Sequence, residues 1–144
     1  MEVVDDGRMV RAWLELKDID QRGAIRLFAD PALVREWWGG ELEAELEPGG
    51  GYVVRFESQG WTLGGQVLSY DPESELTFTW AWEHQPDDPP REVKVTAVPA
   101  GAAATRLEIE HGPHGDSESE LVEAVAHREG WEYFLPRMAD CLAR

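Results

Sequence analysis

Hydrophobic and polar residues alternate along most of this chain, and a period of two is typical of strands that bury one face. The first such segment covers residues 8–17, where small and branched apolar residues alternate with charged residues and a tryptophan. The pattern recurs in six later segments, at residues 42–46, 52–56, 61–70, 75–84, 92–98 and 104–111. Turn sequences separate them, so the pattern predicts seven strands that pair antiparallel with their neighbours.

Two short helices are predicted between the first two strands, because the apolar spacing changes there to three and four. They cover about residues 20–29 and 31–38, with Asp30 as a cap and Pro31 at a first helical position. Gly39 and Gly40 end the second helix. The chain then returns to alternation.

The only long helical pattern comes last, roughly from Ser119 to Leu142, after the capping box Ser117-x-x-Glu120. Its C-terminal half carries a clean apolar stripe that begins at Trp131. The same face of its N-terminal half is polar and includes His127. This polar half is not typical of a helix that only packs a core.

This order of elements predicts one α+β domain over residues 1–144. Each strand has one apolar face, so the sheet needs a cover on one side, and the terminal helix is the element able to provide it. Gly64-Gly65 predicts a bulge or bend of the kind that a curved sheet requires. The expected fold is a helix-grip fold: a curved seven-stranded antiparallel sheet wrapped around a long C-terminal helix, with two short helices between strands 1 and 2.

Charge and composition narrow the functions further. The formal net charge of -16 argues against nucleic acid and anionic membranes as partners. No apolar run reaches the ~20 residues that a membrane span needs, and the acidic N-terminus is unlike a signal peptide. The single cysteine, Cys141, excludes an intramolecular disulfide. We therefore expect a cytoplasmic protein without membrane insertion.

Trp13 lies on the wetter face of the first strand and suggests a sheet edge or a homodimer contact.

Several sequence stretches, in order along nearly the whole chain, match a known superfamily. They are Asp30-Pro31 with Trp37-Trp38-Gly39, Pro48-Gly49-Gly50 with Tyr52, Gly65 to Asp71-Pro72 leading into Leu76 to Trp80, Thr105-Arg106-Leu107 with His111, and His127-x-x-Gly130-Trp131. The chain resembles the helix-grip superfamily of lipid-transfer START domains, polyketide aromatase/cyclases and pollen allergens. Within it, the chain is most similar to bacterial homologues of the heat-shock-protein-90 ATPase activator's C-terminal domain.

The resemblance implies a cavity for a hydrophobic small molecule between the sheet and the helix. Strand parity and the inward helix face indicate which residues would line it. The candidate ligand-binding residues are Trp38, Tyr52, Phe56, Phe78, Trp80, Trp82, His111, His127, Trp131 and Leu135. The aromatic side chains would supply shape, or simply core, and a histidine (His111, His127 or His84) would supply a polar anchor.

No metal site or cofactor is expected. His111 and His114 flank a Gly-Pro turn with Asp116 nearby, but spacing places no third ligand beside them. The chain also contains no nucleophile-elbow, phosphate-loop or dinucleotide-binding motif.

Three functions remain open. The first is binding of an apolar or aromatic small molecule. The second is a cyclase- or hydrolase-like enzyme with a histidine as general acid or base. The third, which the resemblance implies, is a co-chaperone or stress-response role with a chaperone partner.

Overall fold

The computed structural model describes residues 1–142, which form three helices and an antiparallel sheet of nine strands. In chain order the elements are β1 (Glu2–Asp5), β2 (Val10–Lys17), α1 (Gln21–Ala29), α2 (Pro31–Trp37), β3 (Glu41–Ala44), β4 (Tyr52–Phe56), β5 (Trp61–Gly64), β6 (Val67–Asp71), β7 (Glu75–Trp82), β8 (Arg91–Pro99), β9 (Ala104–Gly112) and α3 (Glu118–Leu142). The predicted helix-grip fold class is confirmed.

The sheet is open, with strand order β1-β2-β9-β8-β7-β5-β4-β3, and β6 pairs with β7 beside this path. The loop from β2 to β3 carries α1 and α2, and α3 closes the chain on the concave side. Asp30 accepts a hydrogen bond from the backbone N–H of Ala32, and Pro31 opens α2, as the sequence predicts. Within the described part of the chain, no helix is long and apolar enough to span a membrane.

The sheet has nine strands instead of seven for two reasons. The first is β1, a four-residue acidic segment that is too short to show a period on its own. It pairs with β2, which places β2 between β1 and β9. The prediction that Trp13 lies at a sheet edge is therefore wrong. Its ring is half-buried under the guanidinium of Arg106, whose carbon lies 5.5 Å from the ring centroid. A homodimer contact stays a prediction.

The second reason is a break in the predicted strand 61–70. It divides at Gly65-Gln66 into β5, which pairs with β4 and β7, and β6, which pairs with a different part of β7. The backbone N–H of Tyr52 donates to the carbonyl of Gly65 at 2.9 Å, which holds the bend against β4. This is the bend that Gly64-Gly65 predicts, and it curves the sheet.

The two short helices fill one side of the concave face. The ring N–H of Trp37 donates to the carbonyl of Leu27 at 2.6 Å, and the hydroxyl of Tyr52 donates to the carbonyl of Phe28 at 2.6 Å. These bonds tie α1, α2 and β4 into a packed core. The closest packing of α3 is against α2, β1 and β2. Its backbone packs less closely against β4, β5 and β7, where the rings of His127 and Trp131 reach Trp80 of β7.

Gly65 provides a test of the bend. A Cβ at this position would run into the backbone carbonyl of Thr79, whereas a Cβ at Gly64 meets nothing closer than 3.9 Å. We expect Gly65→Ala to lower the free energy of unfolding by about 2–4 kcal/mol and Gly64→Ala by about 1 kcal/mol or less. Denaturant unfolding followed by tryptophan fluorescence measures both. Equal losses would mean that the close approach to Thr79 does not hold the bend.

Candidate functional site

A cleft of about 1390 Å³ lies between α3 and the sheet, with walls from β4, β5, β7 and β9 and from the helix. Its lining includes six large aromatic side chains: Trp38, Phe56, Trp61, Trp80, Trp82 and Trp131. The rings of Trp38, Trp80 and Trp131 lie 5.8 to 6.1 Å apart between centroids, so they form one continuous surface. The cleft is therefore shaped for a flat apolar body.

Seven of the ten predicted ligand-binding residues line this cleft: Trp38, Phe56, Trp80, Trp82, His111, His127 and Trp131. The other three do not. Tyr52 and Phe78 stack on each other with ring centroids 4.0 Å apart in the core, and Leu135 is buried in the packed half of α3. Strand parity for Tyr52 and Phe78, and the helix face for Leu135, correctly point these side chains inward. In front of Tyr52 and Phe78, however, α1 and α2 fill the space.

Three buried histidines meet at the inner end of the cleft. His111 comes from β9, His114 from the following loop and His127 from α3. The rings of His111 and His127 are stacked with centroids 4.0 Å apart, so the predicted meeting of these two residues is found in the structure. His114 was absent from the predicted site, because the Gly-Pro turn before it shows no period that would indicate its direction.

Hydrogen bonds link two of these rings, and they set the proton positions for the case in which both rings are neutral. Glu123 lies 3.8 Å from Nε2 of His114. Nδ1 of His114 lies 2.9 Å from the carbonyl oxygen of Arg8, which can only accept, so this nitrogen carries the proton. In the neutral ring, Nε2 of His114 is then an acceptor, and it lies 2.8 Å from Nδ1 of His127. His127 therefore donates from Nδ1. Its Nε2 is left with a lone pair at the cleft.

His111 has the opposite tautomer to that of His127. The ring N–H of Trp131 donates to Nδ1 of His111 at 3.1 Å, so the proton of the neutral ring lies on Nε2. No atom of residues 1–142 accepts a hydrogen bond from this buried Nε2, and the same holds for the buried Nε1 of Trp80. Both N–H groups are enclosed by protein atoms and are not open to the cleft.

Burial keeps both cleft histidines neutral. The pKa of His127 falls from 6.5 to about 4, mainly because of desolvation and also because of the neighbouring His114, while Glu123 acts in the opposite direction. Complete burial lowers the pKa of His111 well below 6.5, and the positive charge that His127 or His114 would carry adds to this effect. Both rings are uncharged at neutral pH.

A buried ion network holds the start of α3 beside this cluster. Arg91 of β8 contacts Glu123 at 2.8 Å and Glu120 at 3.0 Å. The hydrogen bonds from Ser117, Arg91 and the backbone of Gly115 lower the pKa of Glu120 to about 2. Burial alone would raise the pKa of Glu123, but Arg91 outweighs it and the pKa is lowered. The hydroxyl of Ser117 accepts from the backbone N–H of Glu120, which is one of the two bonds of the predicted capping box. The carboxylate of Glu120 accepts from the Ser117 hydroxyl and from the backbone N–H of Gly115 instead of from the backbone N–H of Ser117.

The three histidines each offer a nitrogen, and these lie within 4.8 Å of one another, the spacing of a possible metal site. The proton positions argue against that use. Coordination by Nε2 of His111 would require a proton on Nδ1, where the N–H of Trp131 already points. The arrangement suits a hydrogen-bonding group better than a cation, and the absence of a metal stays a prediction.

The charged residues of the lining are mostly acidic. Asp87, Asp88, Glu118, Glu120 and Glu123 line the cleft, against one basic residue, Arg137. These carboxylates disfavour an anionic ligand in a protein that already carries a net charge of -16.

Comparisons with known proteins agree with this architecture. The family described as "Activator of Hsp90 ATPase homolog 1-like protein" matches residues 26–143. No curated protein matches the chain.

Among solved structures, DynU16, from the dynemicin biosynthetic locus, is 26% identical with a TM-score of 0.77, over 94% of this chain and 47% of DynU16. This chain thus spans about half of DynU16. MLL2253 from Mesorhizobium loti is 21% identical with a TM-score of 0.74, over 93% and 97% of the two chains. PFC0360w, an HSP90 activator from Plasmodium falciparum, is 18% identical with a TM-score of 0.75, over 94% and 96%.

The lowered histidine pKa values predict a pH-dependent stability. In the unfolded chain the histidines bind protons below about pH 6.5, whereas in the folded chain His127 binds a proton only near its lowered pKa of about 4. The folded state therefore has its full stability above pH 6.5 and loses stability as the pH falls from 6.5 towards 4. We expect the free energy of unfolding to fall by about 1–3 kcal/mol between pH 7.5 and 5.5. Urea unfolding at each pH measures this difference. Both pH values lie above the range in which most carboxylates titrate.

His127→Gln should flatten this pH dependence by about half. The matched control is His84→Gln, because His84 is exposed at the mouth of the cleft. A pH dependence that is the same in all three proteins would contradict the assignment to the buried histidines.

Proposed function

Because the chain belongs to the family of Activator of Hsp90 ATPase homolog 1-like proteins, we propose that it uses the cleft under α3 to bind an apolar or aromatic small molecule. The observation that carries this proposal is a cleft of about 1390 Å³ whose lining contains Trp38, Phe56, Trp61, Trp80, Trp82 and Trp131. Clefts lined by aromatic side chains with a few polar groups are typical of small-molecule sites.

The size of the cleft supports the same function. At about 1390 Å³ it has room for a small molecule, whose sites usually measure roughly 300–1,000 Å³. The neighbour DynU16 belongs to a biosynthetic locus, which is in keeping with a small-molecule ligand.

Binding fits the cluster better than catalysis does. Nε2 of His127 can accept a proton, but a pKa of about 4 makes it a weak base at neutral pH. A general base works best with a pKa near the operating pH. The same nitrogen remains a good hydrogen-bond acceptor, and that role needs no proton transfer.

Gly130 allows the cleft to be filled without disturbing the core. It lies on α3 at the cleft, and a Cβ there would meet no atom within 4 Å. We expect the neutral probe N-phenyl-1-naphthylamine to gain fluorescence with the native protein. Gly130→Leu should weaken its binding at least about 10-fold. Replacing glycine inside a helix should also raise stability by up to about 1 kcal/mol.

The matched control is Glu129→Leu, which adds the same side chain at the neighbouring exposed position of α3. It should leave probe binding unchanged. If the native protein does not bind the probe, or if both variants bind it equally well, the cleft is not the binding site. A thermal-shift screen of flavonoids, polyketides, sterols and fatty acids then identifies the ligand class.

A second function, chaperone activation, is favoured by one surface. Leu121, Val122 and Val125 are exposed together near the start of α3, and an apolar patch of this kind suits a protein partner. PFC0360w, with the same fold, is an HSP90 activator. Both proposed functions assume a cytoplasmic protein, which stays a prediction.

The chaperone role predicts that the protein stimulates the ATPase of an Hsp90-class chaperone. Val125→Glu should reduce the stimulation at least about 5-fold, because a buried unpaired charge at an interface is costly. Coupled ATPase assays measure this, with N-phenyl-1-naphthylamine binding as the check on folding. No stimulation by a molar excess of the native protein would exclude the role.

A further inference from the structure

We propose that the ligand of the cleft is an organic cation, in which a flat apolar body carries a positively charged nitrogen that lies at the mouth of the cleft. This inference rests on the proposed small-molecule binding and specifies the charge of the ligand. It follows from the rings and the carboxylates that the structure places together at the mouth.

Three rings form the mouth, those of Trp61, Trp82 and His84. The ring centroid of Trp61 lies 5.6 Å from that of Trp82 and 4.8 Å from that of His84, and the centroids of Trp82 and His84 lie 5.5 Å apart. The backbone N–H of Glu83 donates to the carbonyl of Thr62 at 3.0 Å, which holds the end of β7 against β5. Trp61 lines the cleft and is 46% exposed, so its ring is open to a ligand.

Carboxylates line the cleft beside these rings. Asp87 and Asp88 lie in the loop from β7 to β8, and Glu118 begins α3. The backbone N–H of Asp88 donates to the carbonyl of Gln85 at 3.1 Å, which turns this loop back next to the end of β7. All three acidic side chains are exposed, and none forms an ion pair with another of residues 1–142. Their negative charge is therefore available to a ligand.

The basic residue of the lining does not neutralise these carboxylates. Arg137 lies about five turns further along α3 than Glu118. Its guanidinium carbon lies 5.3 Å from the ring centroid of Tyr133, and its NH1 group donates to the hydroxyl of that residue at 3.1 Å. The positive charge of Arg137 is thus engaged with an aromatic ring of its own helix.

Rings and carboxylates together favour a cation. The face of a tryptophan ring attracts a cation within about 6 Å of its centroid by roughly 0.5–2 kcal/mol, and nearby carboxylates add Coulomb attraction. A neutral ligand gains apolar contact with the rings but neither of these contributions, and an anion is repelled by the carboxylates. Because the mouth is exposed, the cation keeps part of its hydration, which limits the cost of removing a charge from water.

The cation is organic rather than a metal ion. Among the side chains of residues 1–142, the acidic, histidine and cysteine groups that converge closely enough for a metal are the three buried histidines. The carboxylates of the mouth do not converge in this way. They provide a diffuse negative potential, which suits a charge that is spread over the alkyl groups of an ammonium ion.

The apolar body of such a ligand has its own place. The ring of Trp82 lies 5.4 Å from that of Trp80, so the rings of the mouth continue into the surface that Trp38, Trp80 and Trp131 form further inside. These three inner side chains are buried and uncharged. A ligand with one apolar end and one cationic end therefore matches the cleft along its length.

Three naphthalenes that differ in charge test the inference: trimethyl(2-naphthyl)ammonium, its uncharged isostere 2-tert-butylnaphthalene, and 2-naphthoate. Displacement of N-phenyl-1-naphthylamine from the native protein at pH 7.5 and low salt measures each affinity. We expect the ammonium compound to bind at least about 5-fold more tightly than its isostere, because only the cation gains the two electrostatic contributions. We expect 2-naphthoate to bind least tightly.

Variants locate the effect. Asp87→Asn/Asp88→Asn should lower the ratio of the ammonium affinity to the isostere affinity at least about 3-fold. The matched control, Glu45→Gln/Glu47→Gln, removes the same net charge at exposed positions that do not line the cleft, and it should preserve the ratio. Trp61→Leu keeps an apolar side chain but removes the ring, so it should lower the ratio at least about 2-fold.

The outcomes separate the two levels of proposal. If the ammonium compound and its isostere bind equally well, the preference for a cation is wrong and the proposed binding function stands. If neither the naphthalenes nor the probe binds, the binding function fails and the inference with it. Tightest binding of 2-naphthoate would also overturn the inference. So would an equal loss in the two double variants, because that result assigns the preference to the net charge of the whole protein.

Discussion

One helix is too narrow to cover the concave face of this sheet, and the rest of the structure follows from that mismatch. A helix with its side chains is about 10–12 Å wide, whereas the eight strands that lie side by side in this sheet span roughly 34 Å at their usual spacing. Curvature at Gly65 brings the strands around the helix but does not remove the difference. The apolar face that α3 leaves uncovered must be filled by other side chains or border a cleft.

The protein does both, at opposite ends. The helices α1 and α2 fill one part, with Trp37 and Tyr52 hydrogen-bonded to the backbone of α1. In the other part the wall consists of large rings that border open space. The polar half of α3 has its explanation here: at this end the helix faces a cleft and a buried histidine cluster, so an apolar stripe would have no surface to pack against.

Much of the fold was predictable because it depends on local periods. Strand alternation and the capping box at Ser117 gave the fold class, and parity placed the side chains of Trp80 and His111 on the inward face. Parity cannot tell which inward residues border open space, which is why Tyr52, Phe78 and Leu135 were grouped with residues that line the cleft. His114 and the β1 strand share another difficulty: each is positioned by partners distant in sequence, and neither has a period of its own.

The positions of the acidic side chains give part of the net charge a role at the cleft. Taken over the whole chain, -16 is compatible with a simple solubility trait. In space, five of the acidic side chains border the cleft, and two of them, Glu120 and Glu123, are held there by the buried Arg91. The pairing offsets part of their charge, but Asp87, Asp88 and Glu118 remain at the cleft. These carboxylates repel a negatively charged ligand, so the charge of this protein contributes to selectivity by exclusion.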